Sequence, residues 1–310
     1  SQAKKVDNER FRLFPLCHAQ FHPIALVGRP SHLAMPGSTL IKSDVGGAAS
    51  TTGMTSAMLN TMLTGTGAPG LEVETVVANR EVMVGHTLDG LIEIAGGTGT
   101  LQIQAVTLDL VVRALIHDDK GGEPHHGLIL LAAATVATDM TLEPGGAITL
   151  PFKMEIPRHA PLSLGVSTAG LRTHVAVEGA ADTGDGDAVR LLPDRWTAAV
   201  LDAMETLDFR LAQSDVEHVP GDPCPFFQRL RFRPMSLKDV RVECVDLSFT
   251  QKDDGVDVAV TVENRAGLFS RAHEEEGSLQ VNDQVLAEGP DKVLDLLRDE
   301  IARLKGSMVA

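Results

Sequence analysis

Residues 191–211 read LLPDRWTAAVLDAMETLDFRL, the clearest amphipathic helix in a chain otherwise written as short strands. Pro193 and Asp194 give it a start signal, with the Asp194 carboxylate placed to accept backbone N–H groups of the first turn. Trp196, the sole tryptophan, is followed by Val200, Met204 and Leu207 at spacings of four, four and three, which puts all four on one face. Arg195, Asp202, Glu205 and Asp208 fall mostly on the other. A helix with one apolar stripe must bury it against something, so this one reads as the joint between two β-rich halves. Trp196, Val200 and Met204 are therefore candidate interdomain or partner contacts.

The flanking sequence supplies those halves. Leu71–Val77 and His86–Ile94 alternate apolar and polar residues, as half-buried strands do. Leu101–Ile116 is longer, and its alternation changes parity near Val106 and Thr107, which predicts a bulge or bend. Strands are expected over Leu128–Thr138, Ala147–Ile156 and Leu171–Glu178, and Ala181–Asp187 (ADTGDGD) reads as a polar linker. Beyond the helix come Phe209–His218, Phe226–Phe232 and Val240–Thr250. A tight-hairpin signal follows at Lys252–Gly255, then Gly255–Asn264. Gly277–Leu286 reads as a strand or turn. Pro290–Leu304 is a second helix, with Val293, Leu294, Leu297, Ile301 and Leu304 on one side and Gly306 to stop it. Strands at close intervals, Gly/Pro turns and no βα alternation indicate an all-β fold of two β-sandwich domains, with a connecting helix and short terminal helices.

The expected division is 54–188 and 189–310. Met54–Leu63 forms a short amphipathic helix leading the first domain, packed on it or available to a partner. Ser1–Gly53 mixes Pro, Gly, Ser and His without any persistent period. It is either a disordered arm or lies upstream of the true start.

A formal net charge of -15 over 310 residues argues against nucleic-acid or anionic-membrane binding, since phosphates reward clustered Lys and Arg. Three scattered cysteines, Cys17, Cys224 and Cys244, form neither a disulfide framework nor a thiolate zinc site. No apolar run reaches the roughly 20 residues of a spanning helix, and the first residues lack a secretory-signal layout. The expectation is a cytoplasmic protein without an integral membrane segment.

Candidate chemistry is sparse. The run from Gly65 through Gly67 to Gly70 is a literal GxGxxG, but it follows a helix, precedes a strand and contains Pro69, the reverse of a dinucleotide site. His117, Asp118, Asp119, Glu123, His125 and His126 are the densest group of potential ligands. His117, Asp119, His125 and His126 are the candidate metal set, against a solvated hairpin loop. Asp182, Asp185 and Asp187 lack the loop spacing of a calcium site. Gly165–Gly170 (GVSTAG) misses the GxSxG nucleophile pattern by one residue. Cys224 reads as a turn residue between prolines and Cys244 as a small core side chain. Arg229, Arg231 and Arg233 alternate along one strand face, to pair with the acid-rich helix or linker or to bind an acidic partner. His273 with Glu274, Glu275 and Glu276 reads as a solvated loop. No catalytic set emerges, so the chain is not expected to be an enzyme, and no cofactor is expected.

The ordered series of motifs resembles the sporulation-control protein M (SpoOM) family. A Met-rich helix leads into GTGAPGLEVET (65–75), then VGHTLDGLIEIAGG (84–97), PFKMEIP (151–157), PLSLG (161–165) and LRTHVAV (171–177). The helix runs into LDFRL (207–211), with FFQRL (226–230) and Phe232 beyond it. The resemblance covers Met54 to Phe269. It implies an arrestin-like fold of two sandwiches and a cytoplasmic, non-enzymatic regulator. Such a protein would act through protein–protein contacts in sporulation or stress-linked cell division, with the partner's identity open. The alternative reading is a metal- or small-molecule-binding protein using the His117–His126 loop or the cleft between the domains.

Overall fold

The computed structural model describes residues 70–117, 123–165, 167–222, 224–235, 242–264 and 274–307. The expected extension 1–53, the Met54–Leu63 helix and the glycine run up to Gly67 lie outside them, as does Asp119.

The first half is a two-layer sandwich. One layer is β1 (Leu71–Val77), β3 (Thr87–Gly96) and β6 (Ala147–Glu155), in the order β1-β3-β6 with every pairing antiparallel. The facing layer holds β4 (Leu101–Ile116), β5 (His125–Leu142), β7 (Ala169–Val177) and β8 (Thr183–Leu192), with the short β2 (Glu81–Met83) parallel to β8. Inward residues of the two layers meet in a continuous core that includes Leu88, Ile92, Ile94, Val106, Leu108 and Leu171. The bend expected in β4 is present as a register shift against β5 between Val106 and Thr107, with a second between Leu110 and Val111. Each shift flips the face that successive side chains occupy, so a parity change in sequence becomes a kink in the strand.

Residues 181–187 are not the expected linker. Thr183–Leu192 is β8, paired antiparallel with β7 from Val175↔Thr183 to Ala169↔Val189. Its polar side chains have partners in the first half. Asp185 accepts the Thr75 N–H at 2.7 Å, and Asp187 pairs with Arg80 at 2.6 Å. Acid residues at this strand's start thus satisfy edge groups, which composition alone reads as a loop. The expected boundary at 188/189 falls inside β8, so the first sheet runs on to Leu192.

The helix follows at once as α1 (Arg195–Thr206), with Asp194 Oδ1 accepting from Thr197 N–H at 2.8 Å as the sequence predicts. Then come β9 (Phe209–His218), β10 (Phe226–Pro234), β11 (Val242–Lys252), β12 (Gly255–Asn264) and β13 (Glu274–Asn282), an antiparallel meander. The two-residue hairpin lies where Lys252 and Gly255 pair. Glu274–Glu276, expected in a loop, open β13 instead. The chain ends its described course in the short α2 (Asp283–Ala287) and in α3 (Pro290–Ser307), which runs through Gly306.

The fold is all-β, as expected, but the two halves are layered differently. In the second, α1 and α3 take the place of a second sheet. Val200 and Met204 of α1, with Val293, Leu297 and Leu304 of α3, close over Leu230, Leu247, Val258 and Val260 in one core. Two amphipathic helices side by side cover a meander of this width, so no further strands are needed. The halves also share one hydrogen-bonded sheet in the order β13-β12-β11-β10-β9-β4-β7-β8-β2, joined where β9 meets β4 in parallel at Leu115↔Glu217.

Candidate functional site: the joint between the halves

A single parallel bridge cannot by itself fix the angle between two sheets. Side chains at two further places also tie the halves together.

The first centres on Trp196. The indole is buried, and its Nε1 donates to Asp283 Oδ1 at 2.7 Å, tying α1 to α2. Arg195 also reaches Asp283, its Nη2 donating to Oδ2 at 2.8 Å, while its guanidinium carbon lies 4.7 Å from the indole centroid. Arg158, from the β6–β7 loop of the first half, lies 5.2 Å from the same ring. Arg158 Nη1 also donates to the Asp253 carbonyl in the β11–β12 hairpin at 3.4 Å. One arginine from the first half thus touches both a helix and a hairpin of the second. Two cations thus share one ring: the contact of the exposed Arg195 is worth about 0.5–1 kcal/mol, and that of the half-buried Arg158 up to about 2 kcal/mol. Gly85 is required for this approach, because a Cβ there would meet the Arg158 side chain at 2.7 Å and the backbone already sits at φ +80°.

The second place is the remainder of the β6–β7 loop. Gln228 on β10 accepts from Leu162 N–H and donates to the Leu162 carbonyl, and its Nε2 lies 3.2 Å from Ser214 Oγ on β9. Ser167 Oγ lies 2.9 Å from the same Ser214 Oγ and donates to the Ser214 carbonyl at 3.2 Å. His159 stacks on Phe226 at 6.0 Å with 19° between the rings, and burial lowers its pKa, favouring the neutral imidazole. Ser167, the serine of the near-miss nucleophile pattern, is therefore a buried hydrogen-bonding group of the joint.

Trp196, Val200 and Met204 are all buried here, Trp196 in contact with both halves and the other two in the second core. The three arginines do not act together. Arg231 makes a bidentate pair with Asp246 at 2.8 Å and lies 3.5 Å from Glu263. These contacts hold its pKa above the usual arginine range. Its partners are neighbouring strands, not the helix or linker expected. Arg229 leans over Phe227 at 5.8 Å, and Arg233 is exposed on the outer face. Cys244 donates to Glu263 at 3.0 Å, and burial with that contact pushes its thiol up to about 12, so it stays protonated at neutral pH.

Of the candidate metal set, His117 sits 4.0 Å from Glu217, and His125 and His126 pair with Ile116 and Leu115 at the exposed start of β5. Among the described residues, no three of His, Cys, Asp and Glu come together to hold a metal ion. No helix among them is long and apolar enough to cross a membrane.

Gln228, Ser214, Arg158 and Asp283 were not singled out by sequence reasoning. A signal existed for two of them. Gln228 shares strand parity with the core residues Phe226, Leu230 and Phe232, and Ser214 with Val216. A polar residue at an inward position needs a partner, and these find theirs across the joint.

The scaffold is a curled sheet in two unequal halves, joined by one cross-sheet bridge, an arginine–tryptophan stack and a serine–glutamine network. The SpoOM protein family profile matches residues 59–266, and the chain belongs to that family. It is 27% identical over 203 residues to the sporulation-control protein spo0M of Bacillus subtilis strain 168, covering 64% of this chain and 78% of the relative. The crystal structure of Spo0M from Bacillus subtilis superposes with a TM-score of 0.65 at 21% identity, over 76% of this chain and 99% of that one.

Proposed function

We propose that this protein is a cytoplasmic, non-enzymatic regulator of the sporulation-control type, arrestin-like in organisation. In this reading it acts through protein–protein contacts in sporulation or stress-linked cell division and binds no nucleic acid. The observation that carries the proposal is family membership across residues 59–266. The joint supports it: Gln228, Ser167, Ser214 and Trp196 spend their polar atoms on groups of the chain itself, which suits a scaffold presenting surfaces at a set angle. The net charge of -15 supports selective protein contacts over phosphate-backbone binding.

The test is chemical crosslinking of the intact chain in sporulating or stressed cells, with identification of what is joined to it. A reproducible partner, diminished when the joint is loosened by Trp196→Ala, is the expected result. Absence of any specific partner under both conditions would sink the reading.

A further inference from the structure

We propose that the open face of β10–β13 seats an extended, lysine- or arginine-bearing segment of a protein partner. This rests on the protein-contact reading above and names the surface and the chemistry it would use.

The helices cover only one face of this sheet. On the other, side chains of opposite parity line a hollow of about 800 Å³. The strands beneath it are regular: β11–β12 pair in register from Cys244↔Glu263 to Lys252↔Gly255, and β12–β13 from Gly255↔Asn282 to Glu263↔Glu274. The floor is small side chains, Ser248, Ala259, Thr261 and Ser278, so another chain can lie close to the sheet.

The sign of the hollow is negative. Five carboxylates line it, Asp246, Asp257, Glu263, Glu274 and Glu276, against the two guanidiniums of Arg229 and Arg231 and the Lys252 ammonium that pairs with Asp257 at 3.1 Å. Arg231 is already committed to Asp246 and Glu263. Glu263 and Glu274 are cross-strand partners, and like charges directly opposite destabilise a sheet. Glu276 stands two residues along the same strand. Both Glu274 and Glu276 are exposed and have no ion-pair partner among the described residues.

A cation placed there relieves the repulsion. Alternate residues of an extended peptide repeat at about 6.8 Å, the spacing of Glu274 and Glu276 along β13, so basic residues at every second position match them both. A second copy of this acidic chain would bring carboxylates against carboxylates.

The test uses the full chain and a dye-labelled ten-residue peptide of alternating Lys and Val, with the alternating Glu–Val peptide as comparison. Fluorescence anisotropy is expected to show salt-sensitive binding of the Lys–Val peptide alone. Binding should weaken at least about tenfold in the double variant Glu274→Gln/Glu276→Gln, and likewise when Ser248→Trp fills the floor. Glu72→Gln/Glu93→Gln removes the same charge from the other half and should leave binding unchanged. Equal weakening in both double variants would mean nonspecific attraction to an acidic protein and would overturn the proposal, as would no binding. In cells, crosslinks from a partner that map to another surface would overturn the hollow while leaving the protein-contact reading intact. No crosslinked partner at any surface would remove both.

Discussion

Gln228 holds both backbone polar groups of Leu162, accepting from its N–H at 2.8 Å and donating to its carbonyl at 2.9 Å. Leu162 belongs to the first half and Gln228 to the second, so one side-chain amide does what a strand pairing would otherwise do between them. Leu162 is buried, and an unmet N–H or carbonyl there costs about 1–3 kcal/mol each. Gln228→Leu is therefore expected to destabilise the protein by about 2–5 kcal/mol in urea denaturation. Gln228→Glu keeps one acceptor but turns a second carboxylate oxygen toward the Leu162 carbonyl, and should lose a similar amount at neutral pH and less in acid. A Gln228→Leu variant within about 0.5 kcal/mol of wild type would show that the contact is not needed.

The elements of this fold were legible where local pattern and tertiary role agree. The 3.6-residue stripe of α1, its Asp194 cap, the Lys252–Gly255 hairpin and the β4 bend all follow from periodicity and turn chemistry. Two features were not legible for physical reasons. β8 begins TGDGD, and its two acids are spent on Thr75 N–H and Arg80, contacts about a hundred residues away in sequence. The second layer of the second half depends on two helices packing side by side, and periodicity shows each stripe without showing what it faces. The joint was half legible. Trp196 announced itself, whereas Arg158 reaches it from a loop with no periodicity, and Gln228 was visible only as a polar residue at an inward position.

His159 gives the joint a pH dependence. Burial against Phe226 lowers its pKa below 6.5, so the folded chain resists protonation where the unfolded chain does not. The contribution is fully present above pH 6.5 and is lost as the pH falls from there through the folded-state value. His159→Phe keeps an aromatic ring on Phe226 and removes the titration. Its stability relative to wild type should rise between pH 7 and pH 5, read from denaturation midpoints at several pH values. A constant difference across that range would rule out His159 as the source.

Asp208 ends α1 in the left-handed region at φ +64°, its N–H on the Glu205 carbonyl at 3.1 Å and its own carbonyl accepting from Met235 N–H at 2.9 Å. Only glycine adopts this conformation freely, and aspartate tolerates it better than branched residues. Asp208→Gly is expected to be neutral or to stabilise by up to about 1 kcal/mol, and Asp208→Val to destabilise by about 1–2 kcal/mol. Thermal unfolding of the pair checks the order. If valine proved no worse than glycine, the turn would not constrain the path from α1 into β9.

Trp196 is where the angle between the halves is most exposed to change. Trp196→Phe keeps a ring between Arg158 and Arg195 but loses the donor to Asp283, and is expected to cost about 1–2 kcal/mol. Trp196→Ala removes the ring as well, with an expected loss of about 3–5 kcal/mol. Neither β core depends on the indole alone: one is built on Leu88, Ile92 and Leu108, the other on Leu230, Leu247 and Val260. Trp196→Ala should therefore retain the far-ultraviolet spectrum of a β protein while its radius of gyration by small-angle scattering increases and the loop around Arg158 becomes protease-sensitive. A cycle combining Arg158→Leu with Trp196→Leu, which removes the ring, should give a coupling of about 0.5–2 kcal/mol. Unchanged scattering together with zero coupling would leave Trp196 as a core residue of the second half, with no part in setting how the halves meet.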